Sequence, residues 1–158
     1  MTIKRSVGVG LAAFVLSQVL AIVVHGVILA PDYKPFYGTL LRPLPTQFDW
    51  RMLLLPATHL CFIGALVWIY PRLAIKGSRL IRGLKLGFLG YVMGQLPLWL
   101  LWYAEQPWPD ALVLKQLGLE LSAALLIGAT IGLMSGSARR ETQEPAVAPG
   151  RTSTAAIG

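Results

Sequence analysis

VGVGLAAFVLSQVLAIVVHGVILA, residues 7–30, is the stretch whose reading decides the fold. It contains no formal charge. At about 1.5 Å per helical residue it is long enough for the roughly 30 Å hydrocarbon core of a bilayer. Inside lipid the backbone amides find no water, so the segment is expected to satisfy them itself by coiling into a helix. Lys4 and Arg5 ahead of it imitate a signal peptide. The run far exceeds an h-region of about 7–15 residues and Pro31 follows it, so a retained anchor is expected.

Three further apolar runs read the same way, at about 52–70, 84–103 and 111–134, each bounded by charge or proline. Of the 158 residues 55% are apolar and 13% charged, and the mean hydropathy is +0.62. Soluble domains carry about 25% charged residues, so water is not the main solvent here. The expected fold is all-α, an integral membrane four-helix bundle forming one domain over residues 1–135. The tail, 136–158, has no apolar face and is expected to be disordered on the cytoplasmic side.

The net charge of +7 is topological. Lys and Arg sit in short clusters between apolar runs, with no basic stripe interleaved with aromatics, so nucleic acid is excluded as a partner. Lys4, Arg5, Arg72, Lys76, Arg79, Arg82, Lys85, Arg139, Arg140 and Arg151 fall on one side of the expected spans, and Lys34, Arg42, Arg51 and Lys115 on the other. Ten against four puts both termini in the cytoplasm under the positive-inside rule. The expected partners are the lipid bilayer and a second copy or another membrane protein. Cys61 is the only cysteine, so no intrachain disulfide or thiolate zinc site exists.

The segment 31–51, PDYKPFYGTLLRPLPTQFDWR, is too rich in proline and aromatics for a stable helix and too apolar for a free linker. It is expected at the interface. Tyr33, Phe36, Tyr37 and Trp50, with Trp99, Trp102, Tyr103 and Trp108, would form an outer aromatic belt. GLAAFVLSQ from Gly10 aligns with GFLGYVMGQ from Gly87, matching Gln18 to Gln95, either as a parallel repeat or as chance likeness between apolar helices.

Helices in lipid approach one another through small residues recurring every fourth position. The fourth run carries Gln116, Glu120, Ala124, Gly128, Gly132 and Gly136. The first carries Ala13, Ser17, Ala21 and His25, and the third Gly83 with Gly87 and Gly90 with Gly94. These ridges are expected to pack the bundle. Because the first and fourth runs are antiparallel, His25 should lie level with Gln116 and about one turn from Glu120.

A carboxylate within a span costs roughly 2.5–3.5 kcal/mol, so Glu120 is expected to have a partner. His25, His59, Lys115, Gln116 and Glu120 form the candidate outer-leaflet cluster, with Ser17, Gln18 and Gln95 as mid-membrane polar residues. Lys115 is near enough to the surface to snorkel. Pro56 and Pro97 are expected to kink their helices. No HExxH, P-loop, GxSxG or GxGxxG occurs, so no catalytic residue is named and enzyme chemistry has little support. Two classes of function remain. The preferred one is a non-enzymatic packing, assembly or small-solute module with no cofactor. The other is a redox or transport protein that binds haem, a metal or protons through the His/Glu cluster.

HGVILAPDY, the pattern of His59, Leu60, Trp68, Ile69 and Tyr70, and LWYAEQPWPDALVLKQ resemble small four-span inner-membrane proteins of bacteria that are generally described as hypothetical. The resemblance covers about residues 7 to 134. It implies the same topology in a bacterial inner membrane. It implies no activity, substrate or catalytic residue, so it assigns no role to His25, His59 or Glu120.

Overall fold

Segments that must satisfy their own amides in lipid are helical, and among the described residues helices account for nearly the whole chain. The computed structural model describes residues 2–42, 46–47 and 49–136. Four helices are long and apolar enough to cross a bilayer: Ile3–Ile28, Trp50–Arg72, Arg79–Glu105 and Asp110–Met134. They are called the first to fourth helix below. The tail expectation falls on residues that lie, from 137 onward, outside the described set.

Helix ends follow local chemistry. Ser78 caps the third helix by accepting the Ile81 N–H at 3.3 Å, which starts it ahead of its apolar run and takes Arg79, Arg82 and Lys85 into helix. Arg5 donates from Nε (3.1 Å) and Nη2 (2.9 Å) to the Met134 carbonyl, setting a cation at the negative end of the fourth helix. Pro56 stands in the first turn of the α-helical segment Leu54–Ile69, where its missing N–H breaks no α-helical ladder. Pro97 follows a π-helical turn at Tyr91–Gln95, after which the α-helix restarts at Leu96. A second π turn, Ile22–Ile28, closes the first helix.

The tightest contact joins the third and fourth helices. A Cβ on Gly83 would land on the Gly128 carbonyl oxygen, one on Gly87 on that of Ala124, and one on Gly132 on that of Arg79. Backbones approach this closely only because these positions lack side chains. Gly90 and Gly94 face the second helix instead, with Phe62 3.0 and 3.2 Å from a Cβ placed there. Ala13 is fully buried, and Ala21, two turns further along the same helix, is half-buried. The proposed repeat has no packing counterpart, since Gly10 faces open space where Gly87 is crowded, and Gln18 stands on regular α-helix where Gln95 stands on a π turn.

Apolar side chains cover the outside of the bundle as well as filling its inside. Leu11, Val15, Val19, Leu60, Phe88, Met93, Leu114 and Leu126 all point outward, which suits a solvent of lipid tails. Inside are two apolar clusters. Val9, Ala13, Ile63, Leu66, Val67, Leu86, Ile127 and Ile131 fill the half nearer the termini. Val24, Leu29, Tyr33, Trp108, Leu112 and Val113 close the opposite end.

That closure corrects the reading of segment 31–51. Ala30–Tyr33 forms a helical turn, with Pro31 in its first positions, and Lys34–Phe36 a 3-10 turn. Gly38, at φ +84°, then reverses the chain. Tyr33 and Trp108 are buried, not at the lipid boundary as a belt requires, because the loop folds inward and Phe36 packs on Trp108 at 5.3 Å. Trp50 does stay exposed.

Candidate functional site: a polar layer between two apolar clusters

Four polar residues reach one depth from four helices. At about 1.5 Å per residue, Ser17, His59, Gln95 and Glu120 each lie roughly 14–17 Å from the helix ends opposite the termini. Sequence reasoning divided them into an outer cluster and a mid-membrane set, and the structure puts them in one layer. Together with His25 they line a cavity of about 60 Å³, closed in by Leu20, Ala21, Val24 and Ala123.

His25 enters this layer because of the π turn. Along a regular α-helix every four-residue step overshoots a full turn by about 40°, so the ridge from Ala13 would drift away from the fourth helix. A π turn winds less per residue and returns His25 toward the face of Ser17. Its Nε2 lies 2.9 Å from Glu120 Oε1 and its Nδ1 3.1 Å from the Tyr33 hydroxyl. The rings of His25 and Tyr33 are nearly parallel, 9° apart, with centroids separated by 6.2 Å.

Counting donors fixes the protons. The Tyr33 hydroxyl donates to Gln116 Oε1, and Gln116 Nε2 donates to Glu120 Oε1 at 3.4 Å. Turning the Gln116 amide over would set its carbonyl against the carboxylate. With its one hydrogen committed, Tyr33 accepts from His25 Nδ1–H. Between His25 Nε2 and Glu120 one further proton then lies on either partner, and in both cases the pair is neutral. Neutrality is what an apolar surrounding demands, because an uncompensated charge there is costly. Burial pushes the Tyr33 phenol above its ordinary range, the Gln116 bond acts the other way, and the charge of Glu120 adds to the rise. Tyr33 therefore stays a hydroxyl donor. Gln116 is fully buried.

The second half of the layer centres on Ser17. Its hydroxyl donates to the Phe14 carbonyl at 2.7 Å, so its oxygen accepts from His59 Nδ1 at 3.2 Å and from Gln18 Nε2 at 3.4 Å. His59 is thereby the Nδ1–H tautomer with a free Nε2. Gln95 Oε1 is buried with no protein partner and borders the cavity. A buried carbonyl of this kind calls for a water or another small donor.

Lys115, grouped with the cluster in sequence, is not in it. Its Nζ lies 2.5 Å from Asp32 Oδ2, both side chains being about two-fifths exposed. One residue out of register with Gln116, it points to the surface and fastens the Ala30–Tyr33 turn to the fourth helix. Among the described residues no three His, Cys, Asp or Glu side chains come together as a metal site. Sequence reasoning missed Tyr33, the hub of the network, and Asp32. Pro31 argued for a chain break, whereas it stands in the first positions of a short helix, and Tyr33 follows His25 at an interval of eight residues, about two helical turns. No family model, curated protein or solved structure matches this chain.

Proposed function

We propose that this chain is a non-enzymatic multi-pass protein of a bacterial inner membrane, with both termini cytoplasmic, that binds a proton in its polar layer from the outer side. Four apolar helices support the multi-pass reading. The bias of ten basic residues against four supports the orientation. The likeness to small four-span bacterial inner-membrane proteins supports the setting.

The observation that carries the proton reading is the His25–Glu120 contact at 2.9 Å beside a polar cavity. His25 is 39% exposed and Glu120 13%, so the imidazole is the end at which a proton enters the pair. About 60 Å³ suits one or two waters. A porphyrin needs space on the scale of a drug-sized pocket, roughly 300–1,000 Å³, so haem does not fit between these residues. Toward the termini the layer ends on the apolar side chains Ile63, Leu86, Ile127 and Ile131, and the buried Tyr70 hydroxyl of that half stands eleven residues from His59, about 16 Å along the second helix. The site stores a proton on one side; it does not conduct.

The test is NMR of ¹⁵N-labelled histidine in the protein reconstituted in vesicles, titrated from the outer side. In the parent, the His25 Nε2 resonance should report a proton shared with Glu120, accompanied by a carboxyl infrared band that Glu120→Gln removes. In Glu120→Gln the His25 Nε2 resonance should move. An Nε2 resonance identical in parent and Glu120→Gln contradicts the proposal.

A further inference from the structure

On the half of the bundle nearer the termini, the first and second helices part around an open groove of about 760 Å³. Its walls are apolar, built from Leu11, Phe14, Leu60 and Trp68, and its floor is widened by two glycines. A Cβ on Gly10 or Gly64 would meet nothing within 4 Å. The groove is therefore unfilled by protein, in a bundle whose third and fourth helices meet backbone to backbone.

Length and charge identify what fits. From Ser6 to Phe14 the groove runs about 12 Å along the first helix, close to half the roughly 30 Å hydrocarbon thickness. A spanning helix needs a seam across the whole bilayer, whereas a groove one leaflet deep matches an acyl chain. At the mouth stand Ser6 and Arg72. Arg72 lies 4.1 Å over the Trp68 ring and donates Nη1 to the Trp68 carbonyl at 2.5 Å. Those contacts fix the guanidinium at the rim and use one of its five donors, leaving the others for an anion. Two copies docked on this face would bring two Arg72 cations together, which disfavours a dimer seam.

We infer that this groove is a binding site for one anionic phospholipid of the leaflet next to the termini, an acyl chain lying between Gly10 and Gly64 and the phosphate on Arg72 and Ser6. The inference is independent of the proton reading, since Ser6, Gly10, Gly64 and Arg72 do not line the polar cavity.

Native mass spectrometry of the full chain in mild detergent tests it, with dioleoyl phosphatidylglycerol and dioleoyl phosphatidylcholine added in turn. The parent should take up one phosphatidylglycerol at a concentration at least tenfold below that for phosphatidylcholine. Arg72→Gln should erase that preference. Gly64→Leu, which fills the groove, should abolish the single tight adduct while the helical circular dichroism stays as in the parent. Uptake in Gly64→Leu equal to the parent overturns the inference, as does a preference unchanged in Arg72→Gln. Should Gly64→Leu alter only a dimer fraction, the groove is a seam between copies and the lipid assignment falls.

Discussion

At the scale of single residues, the protein turns on one phenol and one carboxylate. Tyr33 donates to fully buried Gln116 and accepts from His25, so Tyr33→Phe strands a carbonyl oxygen and a ring nitrogen while preserving shape. A buried group left unpaired costs about 1–3 kcal/mol, and the variant should melt correspondingly lower in detergent. Melting like the parent would remove Tyr33 from the hub. Glu120→Leu and Glu120→Gln separate charge from hydrogen bonding. Gln keeps an amide that can donate to His25 Nε2 and should fall by less than about 1 kcal/mol, whereas Leu strands both His25 Nε2 and Gln116 Nε2 and should lose about 1–3 kcal/mol, with the partial exposure of His25 favouring the low end. Equal stability in the two variants would mean that no partner depends on Glu120.

The helical elements show how far the amino-acid sequence carries such a reading. Apolar length identifies a span by itself, so all four were legible within a few residues. Small residues at four-residue spacing likewise revealed the ridge of Ala124, Gly128 and Gly132. Which helix each ridge meets was not legible, because Gly83 and Gly90 sit on one helix and differ only in the direction they face. The site was half legible. A lone carboxylate in a span demands a partner, and His25 was named; Ser17 and Gln95 joined the same layer only through depth. The π turns that aim His25 and Gln95 have no residue code of the kind that caps and prolines provide. Element packing gives its own contrast. Gly87→Leu would collide with the backbone at Ala124, forcing the third and fourth helices apart at about 1–3 kcal/mol or more, whereas Gly10→Ala meets nothing and should gain up to about 1 kcal/mol from helix propensity. Thermal melts of the two variants in one detergent check the ordering, and a Gly87→Leu protein as stable as Gly10→Ala would refute the close approach.

On the scale of the whole molecule, the layers succeed one another along the bundle. A basic rim at the termini is followed by an apolar half, then the polar layer, and finally a cap made by the 30–42 loop and Trp108. The cap is tied down by Lys115 to Asp32 and by Tyr103 donating to Asp110 at 2.7 Å. A proton-binding layer reached from outside needs that cap on the non-cytoplasmic face, so sidedness is the claim on which the others hang. Tyr33 and Trp108 are buried and unsuited to labelling, whereas Thr39, Pro107 and Lys76 are exposed. In a Cys61→Ser background, single cysteines at these three positions can be challenged in intact cells with a membrane-impermeant maleimide. Thr39→Cys and Pro107→Cys should label from outside and Lys76→Cys only after permeabilisation. The reverse pattern, or all three labelling alike, would contradict the account.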